Sequence, residues 1–182
     1  MPDVASASRL LARYGIAGIT DTTPDNGREQ WSLFRQLQDA GALLQRLRVL
    51  GTAAITGCPE SAWMQRGELK LHQLESPLPP WEETVSALRE AHTSGRGVAN
   101  HCVTLTELVY ALGVLDEAGV QPGDRIAHAT VCPPEQLEGN FAKLNSGRCS
   151  RKRKIHFSRI QRTLPVSVTI NRFPLAMLIP SK

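Results

Sequence analysis

The last forty residues of this chain contain no acidic side chain. All 17 Asp and Glu residues of the 182-residue sequence lie at or before Glu138, whereas ten of the 21 Lys and Arg residues follow Phe141. Residues 1–140 therefore carry a net charge of −6, and residues 141–182 carry +10. Because a globular domain rarely changes charge so abruptly, we divide the chain into a domain at 1–140 and a basic, poorly ordered tail at 141–182.

Three further features are missing. No run of about eighteen apolar residues occurs, so we expect no transmembrane helix, and the N-terminal MPDVASASRLLARYG lacks the apolar core of a signal peptide. No CxxC pair is present, which argues against a zinc ribbon or a disulfide framework. The sequence therefore predicts a cytoplasmic protein with no membrane partner and with four reduced thiols, at Cys58, Cys102, Cys132 and Cys149.

Apolar runs and amphipathic segments alternate along the first 140 residues. This alternation is typical of an α/β fold with a parallel sheet. A closed (β/α)8 TIM barrel takes ~250 residues, so an open sheet or a piece of a barrel fits this length better. The predicted strands are residues 16–20, 47–55, 68–74, 97–103 and 125–131, and the predicted helices are 5–14, 28–46, 81–93, 104–119 and 133–144. In the fourth helix, the predicted buried residues are Leu105, Leu108, Val109, Leu112 and Leu115.

Two histidines end the last two predicted strands. His101 follows the apolar run GVAN and His128 follows DRIA, with one amphipathic helix between them. The strands of such a βαβ unit are parallel, so we expect both histidines on one rim, with Lys70 one strand further along. Each residue also has a simpler interpretation: a strand-end histidine is often structural, and Lys70 alone suits a solvated strand face. His72 faces the same way as Lys70, and His92 suits the end of a helix dipole.

The motifs ELKLHQLES, GVANHCVTLTELVYAL and GDRIAHATVCPP, together with LLARYGIAGITDTTPDN upstream, resemble the amidohydrolase superfamily. The resemblance covers roughly residues 5–140. It is strongest to amidohydrolase family 3, which includes enzymes similar to N-substituted formamide deformylase and D-aminoacylase. It implies a partial, metal-dependent (β/α)8 barrel of about five parallel strands. It also implies hydrolysis of carbon–nitrogen bonds in small-molecule, non-peptide amides by metal-activated water.

The resemblance also implies a ligand set. Lys70 matches the strand-four lysine that can be carboxylated, and His101 and His128 match the histidine ligands of the next two strands. Zinc is the expected divalent metal. The sequence has no counterpart of the family's His-x-His pair or of its last-strand Asp, and Ala127 stands where relatives usually have Glu. We therefore assign no catalytic residue, and expect a truncated chain that binds metal weakly and is inactive alone.

The basic tail allows a second function. Its run RCSRKRKIHFSRIQR would suit contact with nucleic acid, which would make the chain a non-catalytic binding protein. We favour the alternative that the tail is disordered or arises from a shifted reading frame, so a nucleic-acid partner is not expected. The segment VSVTI within it could form a strand. Open sheet edges at residues 16–20 and 125–131 predict oligomers or aggregates.

Overall fold

The computed structural model of the chain describes residues 3–132 and the backbone of residues 167–170. The described residues divide into two compact units: residues 3–67 with 167–170, and residues 68–132. The predicted helix at 133–144 and most of the basic tail lie outside the described residues. No helix in the described part of the chain is long and apolar enough to cross a membrane.

The first unit is a parallel β/α layer with its own core. Strand β1 (Gly18–Asp21) pairs in parallel with β2 (Arg46–Gly51) on one side and with β6 (Ser167–Ile170) on the other. Helix α2 covers this sheet with Trp31 and Phe34, which are buried with Leu47, Val49 and Ile55. The elements are α1 (Val4–Arg13), β1 (Gly18–Asp21), α2 (Arg28–Asp39), β2 (Arg46–Gly51), a 3-10 turn (Ala53–Ile55), the start of β3 (Met64–His72) and β6 (Ser167–Ile170).

Two elements of this unit are shorter than predicted. Helix α2 was expected to reach residue 46, but it ends at Asp39 because Gly41 takes a left-handed φ of 66° that stops the helix. The strand expected to reach residue 55 ends at Gly51, since Thr52 caps a 3-10 turn instead: its hydroxyl accepts a hydrogen bond from Ala54 N at 3.3 Å. At both places a residue that favours a turn, Gly41 or Thr52, ends the element although the apolar pattern of the sequence continues.

The tail contributes a strand to this sheet. Ser167–Ile170, within the predicted VSVTI strand, pairs in parallel with all four residues of Gly18–Asp21. The prediction of a strand at VSVTI is confirmed. The expectation that the first strand would lack a neighbour is wrong, because a short β-branched segment of the tail satisfies the backbone groups of that edge.

The second unit contains the predicted βαβ core. Strands β3, β4 (Val98–Cys102) and β5 (Arg125–His128) are parallel neighbours in that order. Helices α3 and α4 bury Val85, Leu88, Leu108 and Leu115 against them. After the end of β3, the elements are α3 (Trp81–Thr93), β4 (Val98–Cys102), α4 (Leu105–Ala118) and β5 (Arg125–His128). The five predicted strands and the parallel α/β arrangement of a partial (β/α)8 barrel are thus confirmed.

The buried stripe of α4 differs from the prediction. Leu108, Leu112 and Leu115 are buried as expected, but Leu105 is 42 % exposed and Val109 is 51 % exposed. Two smaller residues, Ala111 and Val114, complete the stripe instead. Apolar spacings of three and four residues fit both the predicted and the observed set of buried residues. The orientation of α4 against β4 determines which set is buried.

His92 has a different role from the one predicted. Its Nε2 lies 3.1 Å from Asp124 Oδ1, so the ring is hydrogen-bonded to a buried carboxylate and does not only face the helix dipole. The Asp124 carboxylate also accepts hydrogen bonds from Val98 N and Gln121 N, both at 2.8 Å. Asp124 therefore connects the end of α3, the first residue of β4 and the turn that leads into β5.

Candidate functional site

Three imidazole rings meet where β3, β4 and β5 end. His72 and His101 are register partners in the parallel pair β3–β4. Their ring centroids lie 4.6 Å apart, and those of His101 and His128 lie 4.5 Å apart, both in edge-to-face contact. The prediction that His101 and His128 share one rim is confirmed. His72 joins them because the carboxyl ends of parallel neighbours meet at one edge of a sheet.

His128 reaches this cluster through an unusual backbone. It pairs in register with Cys102, whereas His101 pairs with Ala127. Since side chains alternate along a strand, a regular β5 would place His128 on the face opposite His101. A left-handed φ of 72° at His128, followed by 45° at Ala129, ends the strand and redirects the ring. Left-handed conformations strain residues other than glycine, and such strain is concentrated at functional sites.

Lys70 lies one pleat below the rings, on the same face of β3 as His72. It is buried, with 8 % of its surface exposed. Burial is the main cause that lowers the pKa of Lys70 to about 8, and the neighbouring Arg125 guanidinium lowers it further. Glu68, which lies 3.7 Å from Arg125 Nη2, acts in the opposite direction. A substantial share of the Lys70 amine is therefore neutral near physiological pH.

Two histidines of the cluster have a lowered pKa. Desolvation, followed by the proximity of His128, His72 and Lys70, lowers the pKa of His101 to about 4. The pKa of His128 is lowered by desolvation and then by Lys70 and His72. Neutral imidazole is the form that binds metals. Both shifts favour that form.

The loop after β4 is fixed by a capping box. Glu107 Oε2 accepts hydrogen bonds from Val103 N at 2.7 Å and Thr104 N at 3.2 Å, while Thr104 Oγ1 accepts one from Glu107 N. This arrangement fixes the chain directly after His101. The adjacent Cys102 is fully buried, and desolvation raises its pKa to about 12, so its thiol is an inert packing group as predicted.

The residues of this site provide enough ligands for a divalent metal only if Lys70 is included among them. No three His, Cys, Asp or Glu side chains within residues 3–132 are spaced to bind a metal ion. The predicted set of Lys70, His101 and His128 brings two neutral imidazoles and one amine that carboxylation can convert into an oxygen donor. Asp21 is not part of this set, because Asp21 Oδ1 accepts hydrogen bonds from Thr23 N and Asn26 Nδ2 at 2.8 Å and so stabilises the turn after β1.

Sequence reasoning missed two members of this face. His72 was noted only for sharing a face with Lys70, and Arg125 received no role. The alternation Glu68, Lys70, His72 signals the first. The second follows only from the register, because Lys70 and Arg125 both pair with Ala99 from opposite sides. Neither strand alone reveals that pairing.

Comparison with known proteins supports the fold. Neither a family model nor a curated protein sequence matches the chain. An uncharacterized metal-dependent hydrolase from Pyrococcus furiosus is similar in structure, with a TM-score of 0.62 and 18 % identity over 76 % of this chain and 35 % of that one. A second, from Pyrococcus horikoshii OT3, has a TM-score of 0.59 and 19 % identity over 74 % of this chain and 33 % of that one. The matched part of this chain thus spans about a third of the length of each of these two hydrolases.

Proposed function

We propose that this chain contributes part of the active site of a metal-dependent hydrolase. The observation that supports it is the cluster of three imidazole rings at the carboxyl ends of parallel strands, one pleat above a buried lysine. In a barrel of βα units the active site lies at that edge. The similar fold of two metal-dependent hydrolases agrees with this assignment.

The proposed reaction is hydrolysis of a carbon–nitrogen bond in a small-molecule, non-peptide amide. Lys70 in its carboxylated form, His101 and His128 would hold the metal, with zinc as our first choice because imidazole nitrogens suit it. The metal would supply hydroxide at neutral pH, since it lowers the pKa of a bound water towards ~7. His72 packs against the His101 ring and helps to orient it. The choice of amides rests on the sequence resemblance and not on the fold.

Metal binding tests this proposal more directly than turnover, because the sequence contains no His-x-His pair to complete the family site. We expect Co²⁺ titration to give the visible absorption of nitrogen-ligated cobalt, and zinc to displace it. His101→Ala and His128→Ala should each weaken binding about 10- to 100-fold, as loss of a metal-site group commonly does.

His92→Gln serves as the matched control. It removes a histidine that pairs with Asp124, and the glutamine amide can still donate to that carboxylate. Its cobalt affinity should equal that of the parent chain. If the parent binds no cobalt, or if all three histidine variants bind alike, the hydrolase proposal fails. The amide assignment is tested separately, by comparing how amides and phosphoesters of similar size compete for the metal-loaded chain.

A further inference from the structure

The row formed by Lys70, Ala99 and Arg125 crosses β3, β4 and β5 just below the imidazole cluster, with Lys70 and Ala99 buried and the Arg125 side chain 33 % exposed. Lys70 and Arg125 are both register partners of Ala99, so their side chains leave the same face of the sheet. Adjacent strands are about 4.8 Å apart, which separates the two Cα atoms by roughly 10 Å. Between these two long side chains, Ala99 contributes only a methyl group.

The hydrogen bonds of Arg125 are incomplete. Its Nη2 lies 3.7 Å from Glu68 Oε2, which is an ion pair but too long for a hydrogen bond. Its Nε is buried and has no hydrogen-bond partner. Buried donors are nearly always paired, so the unpaired Nε of Arg125 is available to a further acceptor. Two cations facing each other across Ala99 also repel. An anion between them would accept a hydrogen bond from the Arg125 Nε and would offset this repulsion.

We propose that Arg125 is a positioning residue that binds the carbamate formed when carbon dioxide adds to Lys70. In that step the protonated amine first loses a proton to water, the freed Nζ lone pair forms a bond to the carbon of CO₂, one C=O electron pair moves to oxygen, and Nζ releases a second proton to water. The product is a planar carboxylate on a neutral nitrogen, so the charge at residue 70 changes from positive to negative. A planar guanidinium presents parallel donors that match such a carboxylate.

This assignment explains why arginine lies in this row. Before the reaction Arg125 faces a cation, and afterwards it faces an anion whose oxygens can accept from the unpaired Nε. Glu68 is the acidic group beside Arg125, and its 3.7 Å separation leaves donors of the guanidinium available to the carbamate. The inference rests on the proposed function, because the carbamate is the oxygen donor assigned to Lys70 there.

The test is carbon-13 NMR of the full chain with zinc and ¹³C-labelled bicarbonate. We expect a carbamate resonance in the parent chain that is absent from Lys70→Ala. In Arg125→Gln the bicarbonate concentration needed for half occupancy should rise about tenfold, the size expected for loss of a charge-assisted contact. Arg125→Lys keeps the charge without the planar fork, and should fall between the two. Circular dichroism confirms that each variant is folded.

Arg66→Gln is the matched control. Arg66 also has an unpaired buried Nε and a glutamate partner, with its Nη2 3.1 Å from Glu60 Oε2, but it lies two pleats before Lys70 on β3. Its carbamate occupancy should equal that of the parent. Parent-like occupancy in Arg125→Gln, or no carbamate in the parent chain, would overturn the inference. Cobalt binding measured on zinc-free samples of the same variants keeps this outcome separate from failure of the hydrolase proposal.

Discussion

Asp124 should be one of the most important polar residues for stability in the second unit. Its side chain is fully buried, and its carboxylate receives backbone hydrogen bonds from Val98 and Gln121 and contacts His92. We consider Asp124→Ala, which removes the shared acceptor and leaves three polar groups without it. Each unsatisfied buried polar group costs about 1–3 kcal/mol, and Val98 N, Gln121 N and His92 Nε2 would all lose their acceptor.

These terms overlap, so we expect a loss of about 4 kcal/mol in the free energy of unfolding. That is a large part of the roughly 5–15 kcal/mol that a domain possesses. Asp124→Asn keeps Oδ1 for Val98 and His92 but turns an amide towards the N–H of Gln121, so we expect about half the loss. Urea unfolding followed by circular dichroism measures both values.

Glu83→Gln, on the exposed side of α3, is the control and should change stability by less than about 0.5 kcal/mol. The essential result is that the free energy of unfolding increases from Asp124→Ala to Asp124→Asn to the parent chain. A loss below about 1 kcal/mol for Asp124→Ala would show that the three contacts do not anchor β4 and β5, and would refute the reasoning.

Two further predictions concern the site and its supporting strands. The folded pKa of His101, about 4, lies below its ordinary value of 6.5, so between these values the unfolded chain binds a proton that the folded chain does not. The free energy of unfolding should therefore fall as the pH drops from 6.5 towards 4, and His101→Gln should reduce that slope in urea titrations at several pH values. A parent slope of zero would contradict the assignment. Gly97→Ala would place a methyl carbon 2.6 Å from the Gly123 carbonyl, and should cost about 2–3 kcal/mol by overpacking. Gly95→Ala meets no neighbour within 4 Å and pays only for its left-handed φ of 73°, about 1 kcal/mol, so equal losses in thermal unfolding would count against the close approach.

The strands were predictable because each is a short apolar run between turn residues. The alternation around Lys70 and the histidine at the end of each later strand were enough to place three site residues on one rim. Family resemblance added their proposed roles, which the fold comparison leaves as predictions. The nucleic-acid alternative likewise stays a prediction, since the basic run lies outside the described residues.

What the sequence did not reveal depends on contacts across strands. Arg125 joins the Lys70 row only through the register with Ala99. The partnership of His92 with Asp124 joins residues 32 positions apart, so no local pattern indicates it. The end of α2 at Asp39 and the pairing of residues 167–170 with β1 depend on a glycine conformation and on a distant segment. Local propensity therefore predicts elements well, but not the polar contacts between them.

The left-handed backbone at His128 limits which residues can replace it in a redesigned site. Asparagine and aspartate tolerate this conformation better than other non-glycine residues, and both bring an oxygen donor. Valine, isoleucine and threonine would be strained there whatever their chemistry. A library that varies the donors of this rim should therefore sample Asn and Asp at position 128. At position 101, inside a regular strand, the backbone imposes no such restriction.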